Sequence, residues 1–151
     1  MSTETQKEIG NKAIVKHLIE ELWSRRNFSI LDEVYSPEVL YHGPSIELHN
    51  LDELKNLIND FSIAFHDTKM TVKDQIAKDD MVVTKFVYEG IHKRNFRKTP
   101  PTGKKIIIKG VAIDRLVNGK IVDEWEMFDE LGMMKQLGLE MKPMEAIEIL
   151  H

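Results

Sequence analysis

Residues 104–129 read KKIIIKGVAIDRLVNGKIVDEWEMFD, and this stretch decides the fold. It is rich in β-branched residues, which suit strands. It is interrupted at Asn118-Gly119, a pair suited to a two-residue type I′ turn because both central positions need positive φ. Lys104 to Val117 and Lys120 to Phe128 or Asp129 are therefore expected to form an antiparallel hairpin. The turn sets Val117 opposite Lys120, Leu116 opposite Ile121, Asp114 opposite Asp123 and Ala112 opposite Trp125. With a period of two, Ile121, Asp123, Trp125, Met127 and Asp129 share a face with Ile106, Ile108, Gly110, Ala112, Asp114 and Leu116. Glu124 and Glu126 then point the other way. A bulge in the hairpin would invert the assignment beyond it.

Upstream, Met81 to His92 has the same strand composition, with Tyr88, Gly90 and His92 on one face. A basic stretch, Lys93 to Lys98, and the turn Pro100-Pro101-Thr102-Gly103 join it to the hairpin. Val72 and Ile76 alternate with polar residues, and Asp79-Asp80 marks a turn. Before His66 the period is close to four. Ile14, Leu18 and Leu22 stripe a helix over about Glu4 to Arg26. Ser29 is expected to cap a short helix that Ser36-Pro37 stops. Asn50, with Glu53 three residues on, opens the clearest helix, which carries Leu51, Leu54, Ile58, Phe61 and Phe65. Leu131 to Leu137 is a last short helix, with Gly138 at its C′ position. Helices followed by an antiparallel sheet give an α+β order, with the helices on one face of a twisted, curved sheet.

The chain has 151 residues, and residues 1–151 are expected to form one domain. A formal net charge of −4 argues against nucleic acid, whose phosphates call for clustered Lys and Arg. The basic stretch has one aromatic residue, Phe96, and reads as a solvated loop. With no cysteine there is no thiolate metal site or disulfide. The histidines lack metal-ligand spacing, so no metal is expected. No run is apolar and long enough for a membrane span or a signal peptide, so no membrane partner is expected and the default location is the cytoplasm. Glycine loops for phosphates or dinucleotides and a Ser-His-Asp pattern are also missing. The tail residues Ala146, Ile147, Ile149 and Leu150 are apolar and suit either a partner subunit or the chain's own core.

Desolvation of a carboxylate on an apolar wall raises its pKa and makes it a stronger base, able to take a proton from carbon beside a carbonyl. Asp129 is the candidate on the expected inner face, since it ends the strand behind Trp125 and Met127. The same position also suits an N-cap for the helix that follows. Asp114 and Asp123, near the hairpin tip, are expected to meet solvent.

Pro100-Pro101-Thr102-Gly103-Lys104, Arg115, Asn118 to Val122, Trp125, Asp129, Leu131-Gly132 and Gln136-Leu137-Gly138 together resemble the SnoaL-like polyketide cyclases, or ester cyclases. The resemblance continues upstream through Gly90-Ile91-His92, Asp80-Met81-Val82, Phe65-His66-Asp67, His42 and Leu31-Asp32-Glu33. It implies a cone-shaped α+β barrel of the nuclear-transport-factor-two-like superfamily, enclosing a pocket. It also implies an aspartate, here Asp129, as general acid/base in an intramolecular aldol closure without cofactor or metal, and a homodimer. The sequence departs from the family at the basic stretch and at His66.

The expected function is a cofactor-independent cyclase or isomerase acting on a small apolar carbonyl compound. Asp129 would move the proton, and His92 or His42 would stabilise the enolate oxygen. Trp125, Phe65, Phe86, Tyr88 and Met127 would form the wall. A non-catalytic binding module with the same cone is the alternative, and a dimeric interaction protein with a filled cone is a third.

Overall fold

The structure, a computed structural model, describes residues 3–140. The tail residues Ala146 to Leu150 lie outside them. Thr5 opens α1 (Gln6–Ile19) with a capping box, exchanging hydrogen bonds with Glu8. The helix widens into a π turn over Glu20–Ser24. Such turns often occur at functional sites, and this one carries Leu22, which is buried, and Trp23, which packs beside the core.

After α2 (Ile30–Val34) the chain passes directly into β1 (Tyr35–His42). Ser29 does not cap α2; its hydroxyl donates to Asn27 Oδ1 at 2.6 Å. Ser36-Pro37 does end the helix, yet Pro37 lies inside a strand. It sits where pairing with β6 is irregular, between Tyr35 and Leu40, and such a site tolerates a missing N–H. β2 (Glu47–Leu48) and α3 (Leu51–Ala64) follow. Asn50 caps α3 by accepting from the Glu53 N–H, while the Glu53 carboxylate turns back to the His49 N–H. The remaining elements are β3 (Phe65–Lys78), β4 (Met81–His92), β5 (Lys105–Val117), β6 (Lys120–Phe128) and α4 (Glu130–Gln136).

The strands form one open sheet in the order β2-β1-β6-β5-β4-β3. It is mixed rather than wholly antiparallel, because β1 runs parallel to β6. α1 and the π turn pack on β3, and α3 packs on β1 and β3. Val15, Leu18, Leu54, Ile58, Phe65, Val82, Ile106 and Leu116 meet in the core between helices and sheet. The β3–β4 pairing shifts twice, after His66 and after Val72. Shifts of this kind bend a strand, and β3, at the sheet's edge, is the strand on which α1 and the π turn pack.

The decisive irregularity is in the hairpin. Asn118 and Gly119 have φ of 49° and 76°, as a type I′ turn requires. Val117 pairs with Lys120 and Leu116 with Ile121, as expected. Arg115 then pairs with Asp123, so Val122 is the extra residue of a bulge. Beyond it Asp114 faces Glu124, Ala112 faces Glu126 and Gly110 faces Phe128. The expected pairs Asp114–Asp123 and Ala112–Trp125 do not form, and every residue of β6 past Val122 lies on the face opposite to the one expected.

Candidate active site

The inverted register turns Glu124 and Glu126 toward the helices. Trp125 and Met127, expected as wall residues, lie on the outer face with 47% and 48% of their surfaces exposed. Phe86 and Tyr88 do line the cavity, and Phe65 is wholly buried behind it, stacked 6.1 Å from Phe61. The cavity holds about 780 Å³, its open mouth included. Trp23 from the π turn, Leu54, Ile58 and Phe61 from α3, and Met70, Phe86, Tyr88 and Ile108 from the sheet form its apolar walls. Pro44, Ser45, Ile46 and Arg97 are its exposed rim. Arg97 rests over the Phe96 ring at 5.0 Å, and Phe96 is buried against Phe61 and Phe65. The basic loop is thus pinned by its single aromatic residue.

Gly110 makes room for this wall. A Cβ there would lie 2.4 Å from Phe86 Cζ and 2.9 Å from the Met127 carbonyl oxygen. The Phe86 ring therefore crosses the bare backbone of β5.

Three carboxyl groups form the polar end. Asp114 and Glu124 are 1% and 6% exposed, and Glu126 is half-buried. Asp114 had been expected to meet solvent. It does not, because α1 covers that end of the sheet: Val15, Leu18 and Ile19 line a smaller inner chamber with Asp114, Glu124 and Glu126. The Tyr35 hydroxyl lies 3.0 Å from each oxygen of Glu124 and donates to it. The Tyr41 hydroxyl donates to Glu126 Oε1 at 2.8 Å. Asp114 Oδ1 and the Tyr88 hydroxyl are buried and have no hydrogen-bond partner among the described residues.

Burial is the main influence on all three acids. It pushes Asp114 up to about 6, with the charges of Glu126 and Asp123 adding and a hydrogen bond with Glu124 opposing. Burial, then the charge of Asp114, drives Glu124 well above the usual carboxylate range. Burial and the Glu124 charge raise Glu126 to about 7, against the hydrogen bond from Tyr41. Burial, with carboxylates beside two of them, also raises Tyr35, Tyr41 and Tyr88, which stay phenols and hence donors.

The three residues expected to be catalytic lie apart from this cluster. Asp129 is exposed and caps α4, its Oδ1 accepting from the Gly132 N–H at 2.9 Å. His42 is on the outer face, stacked on Trp125 at 4.2 Å. It bonds Glu47 through Nδ1 and Asp123 through Nε2 at 2.9 Å. Burial lowers its pKa, but these two carboxylates outweigh that and the net shift is upward. His92 does share the inner face with Tyr88, yet it lies beyond the cavity, beside Phe65 at 5.3 Å. Its Nδ1 accepts from the Thr102 N–H at 3.1 Å, and burial holds it below its ordinary pKa. Sequence reasoning missed Glu124, Glu126, Tyr35, Tyr41 and Trp23. The Glu-x-Glu alternation opposite Asp114 was the available signal, but it reads correctly only once Val122 is known to bulge.

A sequence profile of the SnoaL-like polyketide cyclases matches residues 13–137. No curated protein sequence matches the chain. Among solved structures, a candidate SnoaL-like polyketide cyclase from Jannaschia sp. CCS1 superposes with a TM-score of 0.84 at 17% identity, covering 93% of this chain and 100% of that one. AclR from Streptomyces galilaeus, a candidate hydroxylase, gives 0.78 at 25% identity, with 87% and 97% covered. IdmH from Streptomyces antibioticus, a candidate polyketide cyclase, gives 0.75 at 24%, with 85% and 99% covered. With its cone of helices and bent sheet, the chain belongs to the SnoaL-like polyketide cyclase family.

Proposed function

We propose that this protein is a cofactor-independent acid/base catalyst of the aldol cyclase or isomerase type, acting on a small apolar carbonyl compound, with Glu126 as the group that moves the proton. The observation that carries this is the setting of Glu126: in the cavity wall, with Tyr41 its one hydrogen-bond partner among the described residues and a pKa near 7. Such a group has both its basic and its acidic form populated near neutral pH, as a general acid/base requires. The carboxylate takes a proton from the carbon beside a carbonyl. The resulting enolate carbon attacks a second carbonyl of the same molecule, and the carboxylic acid returns the proton to the new alkoxide. Asp129, given that role by the family resemblance, is committed to its helix cap.

The test is exchange of the α-protons of 2-tetralone in D2O, followed by proton NMR. The protein should accelerate exchange, Glu126→Gln should lower that acceleration ~100-fold or more, and Asp129→Asn should retain it. Equal exchange by wild type and Glu126→Gln would reject the assignment. Binding of 2-tetralone with no exchange at all favours the alternative, a cone that binds without turnover.

The homodimer belongs to the same proposal. The outer face presents Leu40, Ile107, Val111, Trp125 and Met127 as exposed apolar side chains. Charged groups of both signs, Lys109, Lys105 with Glu89, and His42 with Asp123, surround them. An apolar centre with a rim of mixed charge is the anatomy of a self-complementary interface. No helix of the described residues is long and apolar enough to cross a membrane.

A further inference from the structure

The inner chamber carries more acid than the proton transfer uses. Asp114, Glu124 and Glu126 all line it, while its other walls come from Val15, Leu18, Ile19 and the rings of Trp23, Tyr35 and Phe86. The charges acting on the three acids are all carboxylates, including Asp123 on the outer face. Among the described residues, no Lys, Arg or His lines the chamber. Arg97 lies out at the rim of the main cavity, where Glu130 also lines the wall. The tyrosine hydroxyls of Tyr35 and Tyr41 are spent on Glu124 and Glu126. Among the described residues, that leaves Asp114 Oδ1 buried with nothing donating to it. Buried polar atoms without partners are rare in native proteins and call for an explanation. Several buried carboxyl groups can ionise together only when a positive charge joins them; without one they hold protons instead. Aromatic rings around the same space would attract that charge as well.

We propose that the inner chamber binds the ammonium end of a small apolar amine, with Asp114 and Glu124, the two acids the proton transfer leaves unused, as its counter-charges and Trp23, Tyr35 and Phe86 around it. The apolar body of the ligand lies outward along Met70, Ile108 and Tyr88. This rests on the reading of the cavity as the substrate site and narrows its substrate to amino-carbonyl compounds. Binding of the cation favours the ionised acids, so it releases protons to the buffer. Proton release distinguishes the amine from a neutral ligand, which the protonated acids would hold by donating hydrogen bonds.

The experiment is calorimetric titration of the full chain with 2-phenylethylamine, 2-phenylethanol and phenylacetate at about pH 7, in phosphate and in Tris, whose ionisation enthalpies differ. The amine is expected to bind at least ~10-fold more tightly than the alcohol, a step of about 1.4 kcal/mol, and the acid most weakly. The amine's apparent enthalpy should differ between the buffers because protons are released. Glu124→Gln and Asp114→Asn, checked for folding by thermal melting, should each reduce the preference for the amine. Equal or tighter binding of the alcohol, amine binding without proton release, or no amine binding overturns the proposal. If the proposal fails in any of these ways while 2-tetralone exchange still depends on Glu126, the acid/base reading stands. Loss of that exchange dependence with the amine preference intact overturns the acid/base reading instead.

Discussion

Glu126 and Asp129 are three residues apart and meet opposite fates. Glu126 points inward against Tyr41, and burial raises its pKa to about 7. Asp129 ends the strand and spends a carboxylate oxygen on the Gly132 N–H. Its removal should therefore be felt in stability. Asp129→Ala is expected to cost about 1 kcal/mol, the usual value of an N-cap, read as a lower urea midpoint with unchanged slope. The buried acids make the opposite kind of contribution. Their folded-state pKa values lie above the unfolded ones, so the folded protein holds protons that the unfolded chain has released. Stability is then greatest below the unfolded values, near pH 4, and falls as pH rises through about 6 for Asp114 and about 7 for Glu126. Urea unfolding should show a more stable protein at pH 5 than at pH 8, and Glu126→Gln should flatten that slope by roughly 1–3 kcal/mol. A curve of unchanged steepness would mean that Glu126 is not desolvated.

At the scale of elements, the bulge at Val122 does the most. Without it Trp125 and Met127 would enter the core and both glutamates would face outward, since a one-residue slip exchanges the faces of a strand. The bulge leaves Glu124 and Glu126 in reach of Tyr35 and Tyr41 on β1. That requires β1 beside β6, which the parallel pairing provides. Gly110 is the matching device on β5. Gly110→Ala would set a methyl group into the Phe86 ring and close to the Met127 carbonyl. The expected cost is about 1–3 kcal/mol, seen as a lower melting temperature. Any alanine variant that folds should show a displaced Phe86 resonance and a narrowed cavity.

Over the whole molecule, the two faces of the sheet divide the work. The inner face holds the cavity, and the outer face holds the exposed apolar patch around Trp125. If that patch joins two copies, Trp125→Glu should give a monomer by sedimentation velocity while leaving 2-tetralone exchange largely intact, because the indole lies outside the cavity. A wild-type monomer at tens of micromolar (typical of such runs) would reject the homodimer.

Much of this architecture was legible in local sequence. Helix α3, strands β4 and β5, and the Asn118-Gly119 turn each follow from periodicity, capping and φ requirements that act within a few residues. So does the α+β order, and the ordered motifs from Leu31 to Gly138 pointed to the family that the profile match shows. Phe86 and Tyr88 were placed on the wall because nothing interrupts the period of β4. The candidate site was less legible. One unpaired residue at Val122 changes which carboxylates are buried, and no local preference marks it. Strand β1 was hidden by Ser36-Pro37, whose local meaning is a stop. The parallel pairing with β6 and the cover of α1 over Asp114 join residues about 85 and about 100 positions apart. Local propensity decides which segments become helix or strand. Which face of a strand is buried, and what a carboxylate meets there, depends on register and packing across the whole fold.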